Sequence, residues 1–201
     1  NAIDNIHTTA YSHGRVFIVE VMGHKVGWLT LYAGIASGAD IILIPEIPYE
    51  IDSVVAAIQK RAEQGKRFSI IAVAEGAISK EDAQLSKKEL KEKRKSSKFP
   101  SISYEIGHEI EKKTGHEIRV TIPGHMQRGG SPCPYDRVLA SRFGAAGAKL
   151  VMNREYGYMV GSKEGEIVTV PLKDLAGKLK YVDPKSNIVE EAKLLGINFG
   201  D

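Results

Sequence analysis

A chain of 201 residues with 42% hydrophobic and 26% charged content has the composition of an ordinary globular fold, with enough apolar surface for one good-sized core or two small ones. No apolar run is long enough to span a bilayer, and the opening Asn-Ala-Ile-Asp-Asn-Ile-His has neither the basic nor the apolar region of a signal peptide, so no membrane partner is expected. The single Cys133 excludes an internal disulfide framework and a cysteine-rich zinc site, which points to a cytoplasmic setting without a metal centre, and a net charge of +3 is too mild to predict nucleic-acid binding. The chain opens at Asn1 inside what reads as a helix end, Ala2 to Thr9, so a fragment of something longer is expected.

A loop around Ser12-His13-Gly14 follows. Arg15 to Met22 is rich in β-branched residues and almost continuously apolar, the signature of a strand buried on both faces. Gly23 breaks it, and Gly27 to Ala36 carries a helical apolar pattern ended by Gly38. The unit then repeats in type. Asp40 to Pro45 reads as a second buried strand, and Ile51 to Gln64 as an amphipathic helix with Val54, Val55, Ile58 and Ala62 on one face. Phe68 to Ala74 reads as a third strand, ending at Glu75-Gly76. Strands alternating with helices predict an α/β fold: an open parallel sheet with helices on both faces and right-handed crossovers.

After Glu75 the pattern lapses. Lys80 to Lys98 is rich in Lys, Glu and Ser with no interleaved aromatics for base stacking, so it reads as a mobile or helical solvated excursion. Tyr104 to Lys113 is a helix with Ile106 and Ile110 inward, and Glu117 to Ile122 a fourth strand. Tyr135 to Met152 is a long helix striped by Val138, Leu139, Phe143 and Leu150. Tyr158 to Val160 and Ile167 to Val170 form a β-hairpin turning at Lys163-Glu-Gly165, and Asn187 to Leu195 a closing helix capped by Ser186.

The stretch Thr121 to Ser131 joins the fourth strand to the long helix and carries His125, Arg128 and a Gly-Gly pair. Glycines let backbone N–H groups approach an oxyanion, and a guanidinium fork matches phosphate bidentately. A tight turn with solvated side chains is the bland reading of the same residues. Placement favours the phosphate reading. In an open parallel sheet ligands sit beyond the carboxyl ends of the strands, which selects Met22-Gly23-His24, Glu75-Gly76 and Gly124 to Gly130 together. Glu75 there can accept sugar hydroxyls. Arg15 and Arg119 start their strands and so lie at the opposite edge. They are surface residues, or they reach into a neighbouring subunit.

Thr9 to Gly23 with Gly27-Trp28, then Ala36-Ser-Gly-Ala-Asp40 to Pro45-Glu46, Ala74-Glu75-Gly76, Arg119, Gly124-His-Met-Gln-Arg-Gly-Gly-Ser-Pro132 and Tyr135-Asp-Arg137 resemble the 6-phosphofructokinase family, in order, as far as about Met152. The resemblance implies phosphoryl transfer to the 1-hydroxyl of fructose 6-phosphate, a step of glycolysis, with Mg²⁺ and ATP or pyrophosphate as donor. It implies that residues 1–130 form the sugar-phosphate domain, with a Lys-rich insertion at 80–103. Residues 131–201 would add a helix, hairpin and helix packing back toward the donor half. His125, Met126, Gln127 and Arg128 would hold the 6-phosphate, Glu75 the sugar hydroxyls, and Met22, Gly23 and His24 the pocket wall. Arg15 and Arg119 would reach substrate on a neighbouring subunit of a homodimer or homotetramer.

This chain departs from the family pattern at His24, where an Arg that assists near the transferring phosphate is usual. Its insertion resembles the longer bacterial branch, which includes ATP- and pyrophosphate-dependent members. Gly38, Asp40, Lys66 and Arg67 match the family's allosteric effector groups, with His7 where an Arg is usual. The Gly-Gly-Asp donor loop and the Thr-Ile-Asp base loop do not occur in these residues, so the chain alone is expected to lack a catalytic base and the donor site. Two other readings stay open: a non-catalytic sugar-phosphate sensor, and an interaction module built on the Lys-rich segment.

Overall fold

Three runs of six, three and six residues, each wholly buried, form the centre of the fold in a computed structural model that describes residues 1–10 and 14–201. The loop expected at Ser12-His13 lies outside those residues. In chain order the first elements are α1 (Ala2–Ala10), β1 (Val16–Val21), α2 (Trp28–Ala36), β2 (Ile41–Leu43), α3 (Ile51–Glu63) and β3 (Ser69–Ala74). They are followed by α4 (Lys87–Ser96), α5 (Ile102–Thr114), β4 (Ile118–Thr121), α6 (Pro134–Met152), β5 (Tyr158–Lys163), β6 (Glu166–Pro171), α7 (Leu172–Leu175) and α8 (Asn187–Leu194).

The four strands β1 to β4 form one sheet in the order β2-β3-β1-β4, and every pair is parallel. Side chains alternate across it. Phe17, Val19, Ile42, Ile70 and Ala72 face one layer, where they meet Ile3, Ile6 and Ala10 of α1, Leu31 of α2, and Val189 and Ala192 of α8. Val16, Ile18, Ile41, Leu43, Ile71 and Val73 face the other, against Val54, Val55 and Ile58 of α3 and Ile106 and Ile110 of α5. Helices on both faces explain why the strands read as continuous apolar runs. Each Val, Leu, Ile or Phe side chain among them contributes about 1.5–3 kcal/mol of transfer free energy. In β4, by contrast, Ile118 and Val120 are half-buried while Arg119 and Thr121 are exposed, so only one side of that strand is covered.

The chain forms two compact units, residues 1–127 with 181–201 and residues 128–180. Residues 181–201, the last stretch of the 131–201 grouping, pack within this chain on the first unit. Val182, Val189, Ala192 and Phe199 are buried in the first unit's core, and Asn198 continues the sheet by accepting from Ile42 N–H (2.9 Å) and donating to Asp40 C=O (3.1 Å). Glu46 ties the same stretch down, its carboxylate taking the N–H of Gly27 and of Val182. Ser186 occupies the N-cap position of α8 but does not cap it. Its hydroxyl donates instead to Asp183 C=O at 2.6 Å.

The second unit holds α6, the β5–β6 ribbon and α7, a four-residue helix with no clear signal in the sequence. The ribbon turns at Glu164-Gly165, both with positive φ (54° and 85°), as a two-residue hairpin turn requires. The stripe on α6 is not a buried one: no residue of the helix is buried, and Val138 is 61% exposed. A single ribbon cannot enclose a helix of 19 residues.

The Lys-rich segment is helical, one of the two forms expected for it. Ser86 and Glu89 form a reciprocal capping box at the start of α4, and none of its residues is buried.

Candidate functional site

Because β1, β3 and β4 run parallel with β1 in the middle, their carboxyl ends open on the same side. The residues just past those ends are joined by hydrogen bonds. The Glu75 carboxylate accepts the N–H of His24 (2.5 Å) and of Gly23 (3.3 Å) through one oxygen. Gln127, in the 3₁₀ turn Gly124–Arg128 after β4, accepts the N–H of Met22 at 3.1 Å. His24 sits at φ 57°, a left-handed conformation that His tolerates better than branched residues. Gly76 is required where it stands, since a Cβ there would lie 2.3 Å from the His24 carbonyl oxygen. Thus Met22, Gly23, His24, Glu75 and Gln127, picked out separately in the sequence, form one connected edge.

A carboxylate with two amides on one oxygen keeps capacity for sugar hydroxyls. Beside it lies a cavity of about 260 Å³ lined by Glu75, Glu20, Glu105, Arg94, Phe99 and Ser101. His125 and Met126 belong to the same 3₁₀ turn and are exposed, Met126 at 84%. Arg128 closes that turn, is exposed, and is the first residue of the second unit.

The opposite edge is built differently. Arg15 immediately precedes β1, and Arg119 pairs with Phe17 in the β1–β4 register. Both guanidiniums meet on Glu117, Arg15 at 2.5 Å and Arg119 on the other carboxylate oxygen. With a rise of about 3.3 Å per residue, the six-residue β1 separates this edge from Met22 by roughly 20 Å. The two arginines therefore stand together, and away from Glu75.

The family model described as Phosphofructokinase matches residues 1–151, which includes the whole sheet. This chain belongs to the phosphofructokinase family. An ATP-dependent 6-phosphofructokinase of Spirochaeta thermophila is 53% identical over 200 residues, 100% of this chain and 55% of that protein. The solved phosphofructokinase of Saccharomyces cerevisiae superposes with a TM-score of 0.67 at 35% identity, over 86% of this chain and 22% of that one. A pyrophosphate-dependent phosphofructokinase of Nitrosospira multiformis superposes with a TM-score of 0.71 over 93% of this chain and 47% of that one, and at 16% identity it shares the fold. The chain spans about half the length of the curated relatives it matches.

The residues matching the phosphofructokinase effector groups are only partly joined. His7 contacts Gly38 C=O through a ring nitrogen at 3.2 Å. Asp40 accepts the Ile70 N–H (2.8 Å) and pairs with Arg61 (2.8 Å). Burial pushes the Asp40 carboxyl above its ordinary value, opposed by the Ile70 N–H and by the charges of Arg61, His7 and Lys66. Both of its oxygens are thereby engaged in holding α3 and β3, a structural role. Lys66 and Arg67 are exposed and line a small cleft with Arg15 and His116.

Sequence reasoning missed Glu20, Arg94 and Glu117. Glu20 had a signal, for it is the single charge in an otherwise apolar buried strand, and it accepts the Ser103 N–H at the start of α5 (3.3 Å). Arg94 had none, lying in a run of lysines.

Proposed function

We propose that this chain supplies the fructose 6-phosphate-binding part of an ATP-dependent 6-phosphofructokinase acting in glycolysis in the cytoplasm. The observation that carries the reading is the hydrogen-bonded edge of Met22, Gly23, His24, Glu75 and Gln127 at the carboxyl ends of β1, β3 and β4. Glu75 accepts sugar hydroxyls, and Met22, Gly23 and His24 wall the sugar. His125, Met126 and Gln127 present the turn that meets the 6-phosphate, and Arg128 contributes its guanidinium to that phosphate. His24 assists near the transferring group as an imidazole, a weaker and pH-dependent cation than the family's usual Arg.

The phosphoryl donor proposed here is ATP with Mg²⁺, which neutralises the charge developing on the transferred group. Among the described residues no three His, Cys, Asp or Glu side chains cluster. On this reading the donor and its Mg²⁺ are bound mainly by the upstream half of the enzyme. Arg15 and Arg119, held together on Glu117, are presented to the substrate of a neighbouring subunit in a homodimer or homotetramer. Gly38, Lys66 and Arg67 contribute to an effector site, with Lys66 and Arg67 as its exposed cations and Asp40 holding the α3–β3 frame beside them.

The test is formation of fructose 1,6-bisphosphate by the parent protein with Mg²⁺ and either ATP or pyrophosphate, with intact mass read on the same sample. Turnover with ATP alone is expected. Turnover with pyrophosphate alone would reassign the donor, and fructose 6-phosphate binding without turnover by either donor would favour a sensor.

A further inference from the structure

We infer that Arg94, on the Lys-rich insertion helix α4, is a positioning residue for Glu75, so that the insertion is a working part of the sugar-facing edge. The inference rests on the reading of Glu75 as the sugar-hydroxyl acceptor. Its geometry stands apart from that reading. The Arg94 guanidinium donates to Ala77 C=O at 2.9 Å and, more weakly, to Gly76 C=O at 3.5 Å. These are the two carbonyls directly after Glu75. From another direction the same turn rests on the His24 carbonyl so closely that only glycine fits at position 76. The Glu75 carboxylate is meanwhile fastened to the amides of Gly23 and His24. The turn is thus clamped by three sets of contacts, and one of them comes from the insertion.

The side chain type matters. Both contacts leave from one guanidinium nitrogen, whose two N–H donors are fixed in the guanidinium plane, whereas an ammonium is a single rotating point. The helix carrying it is itself held in place: the capping box fixes its start, and Lys93, the preceding residue, pairs with the buried Asp82 at 2.5 Å. Arg94 and Glu75 also line one cavity, of about 260 Å³, so a shift of the turn changes the wall against which a polyol would sit.

A merely structural arginine would be expected to move global stability. Here α4 buries none of its residues, so its loss leaves both core layers intact. Positioning therefore predicts a local and substrate-specific effect. In the full-length parent enzyme, Arg94→Ala is expected to raise KM for fructose 6-phosphate about tenfold with kcat and the donor KM nearly unchanged, since small misplacement of a binding group is costly. Arg94→Lys should recover part of the loss. Lys95→Ala, one residue along and paired with the exposed Glu92, should behave as wild type.

Hydrogen exchange supplies the readout that needs no substrate. The amides of Gly23 and His24 should exchange about tenfold faster in Arg94→Ala, and at the wild-type rate in Lys95→Ala. Unchanged exchange at those amides overturns the positioning role, as does a fall in melting temperature that accounts for the whole change in KM. Faster exchange in a parent protein that never turns over fructose 6-phosphate confirms the positioning and removes the sugar reading instead.

Discussion

The two ends of the four-stranded sheet solve different problems with different materials. At the carboxyl end, backbone N–H groups of Met22, Gly23 and His24 close on the side chains of Gln127 and Glu75, so the arrangement depends on main-chain placement. At the amino end, two guanidiniums share the Glu117 carboxylate, and the arrangement depends on side-chain charge. Backbone-held sites tolerate little change of position, whereas half-exposed ion pairs are screened and contribute about 0–1 kcal/mol. Substitutions at the first end should therefore be read in binding and in fold, and at the second in activity alone.

The largest effect is expected for Glu75→Ala. It removes the acceptor for two amides and, on the proposed function, for the sugar, and the loss of fructose 6-phosphate binding should be about 2–4 kcal/mol, the scale for leaving polar partners unpaired. Glu75→Gln keeps an acceptor and should lose less. Steady-state kinetics of the parent enzyme checks both, and an unchanged KM would take Glu75 out of the site. Next comes Gly76→Ala. The new Cβ would meet the His24 carbonyl at 2.3 Å, a backbone contact that cannot yield cheaply, and a cost of about 1–3 kcal/mol is expected in denaturant unfolding. A neutral result would mean that the turn has room, and the clamp on Glu75 would be loose.

The amino end should answer in the opposite sense. Arg119→Ala is expected to lower activity in the assembled enzyme while shifting unfolding by less than about 1 kcal/mol, because Arg119 and Glu117 are 54% and 44% exposed. Glu117→Ala should likewise leave the fold alone while freeing both arginines. A large loss of stability in either variant, or full substrate affinity in a monomeric form of Arg119→Ala, would break the contrast between the ends.

Much of the carboxyl end was legible because it follows from topology. Val16–Val21, Ile41–Leu43 and Ser69–Ala74 announce themselves by apolar continuity, and parallel strands must deliver Gly23, Glu75 and Gln127 to one edge. What the sequence hid depends on which strands become neighbours. Glu117 gathers Arg15 only because β4 pairs with β1, an order that periodicity does not encode. Arg94 is one basic residue in a run of them, and its target carbonyls lie 17 and 18 positions away. The stripe on α6 misled for a related reason: helical spacing says which residues share a face, and nothing about whether anything within reach covers it.

Asp40→Asn gives the smallest expected effect and the finest test of how charge is used away from the carboxyl end of the sheet. Its pair with Arg61 invites the view that an ion pair stabilises this corner, yet burial outweighs the pair and raises the carboxyl above its ordinary value of 3.8. A carboxyl raised in the fold binds its proton more tightly there than in the unfolded chain. Its contribution is thus complete below the ordinary value and is lost as pH rises through the raised one. Wild-type stability relative to Asp40→Asn should therefore fall as pH increases from about 4 upward. Near neutral pH the two should differ by under about 1 kcal/mol, because asparagine keeps an acceptor for the Ile70 N–H and gives up a charge that burial already penalises. Asp40→Ala, which leaves that N–H bare, should cost about 1–3 kcal/mol. If attraction to Arg61 instead outweighed burial, Asp40→Asn would cost as much as Asp40→Ala, and the wild-type advantage would grow with pH across the same window.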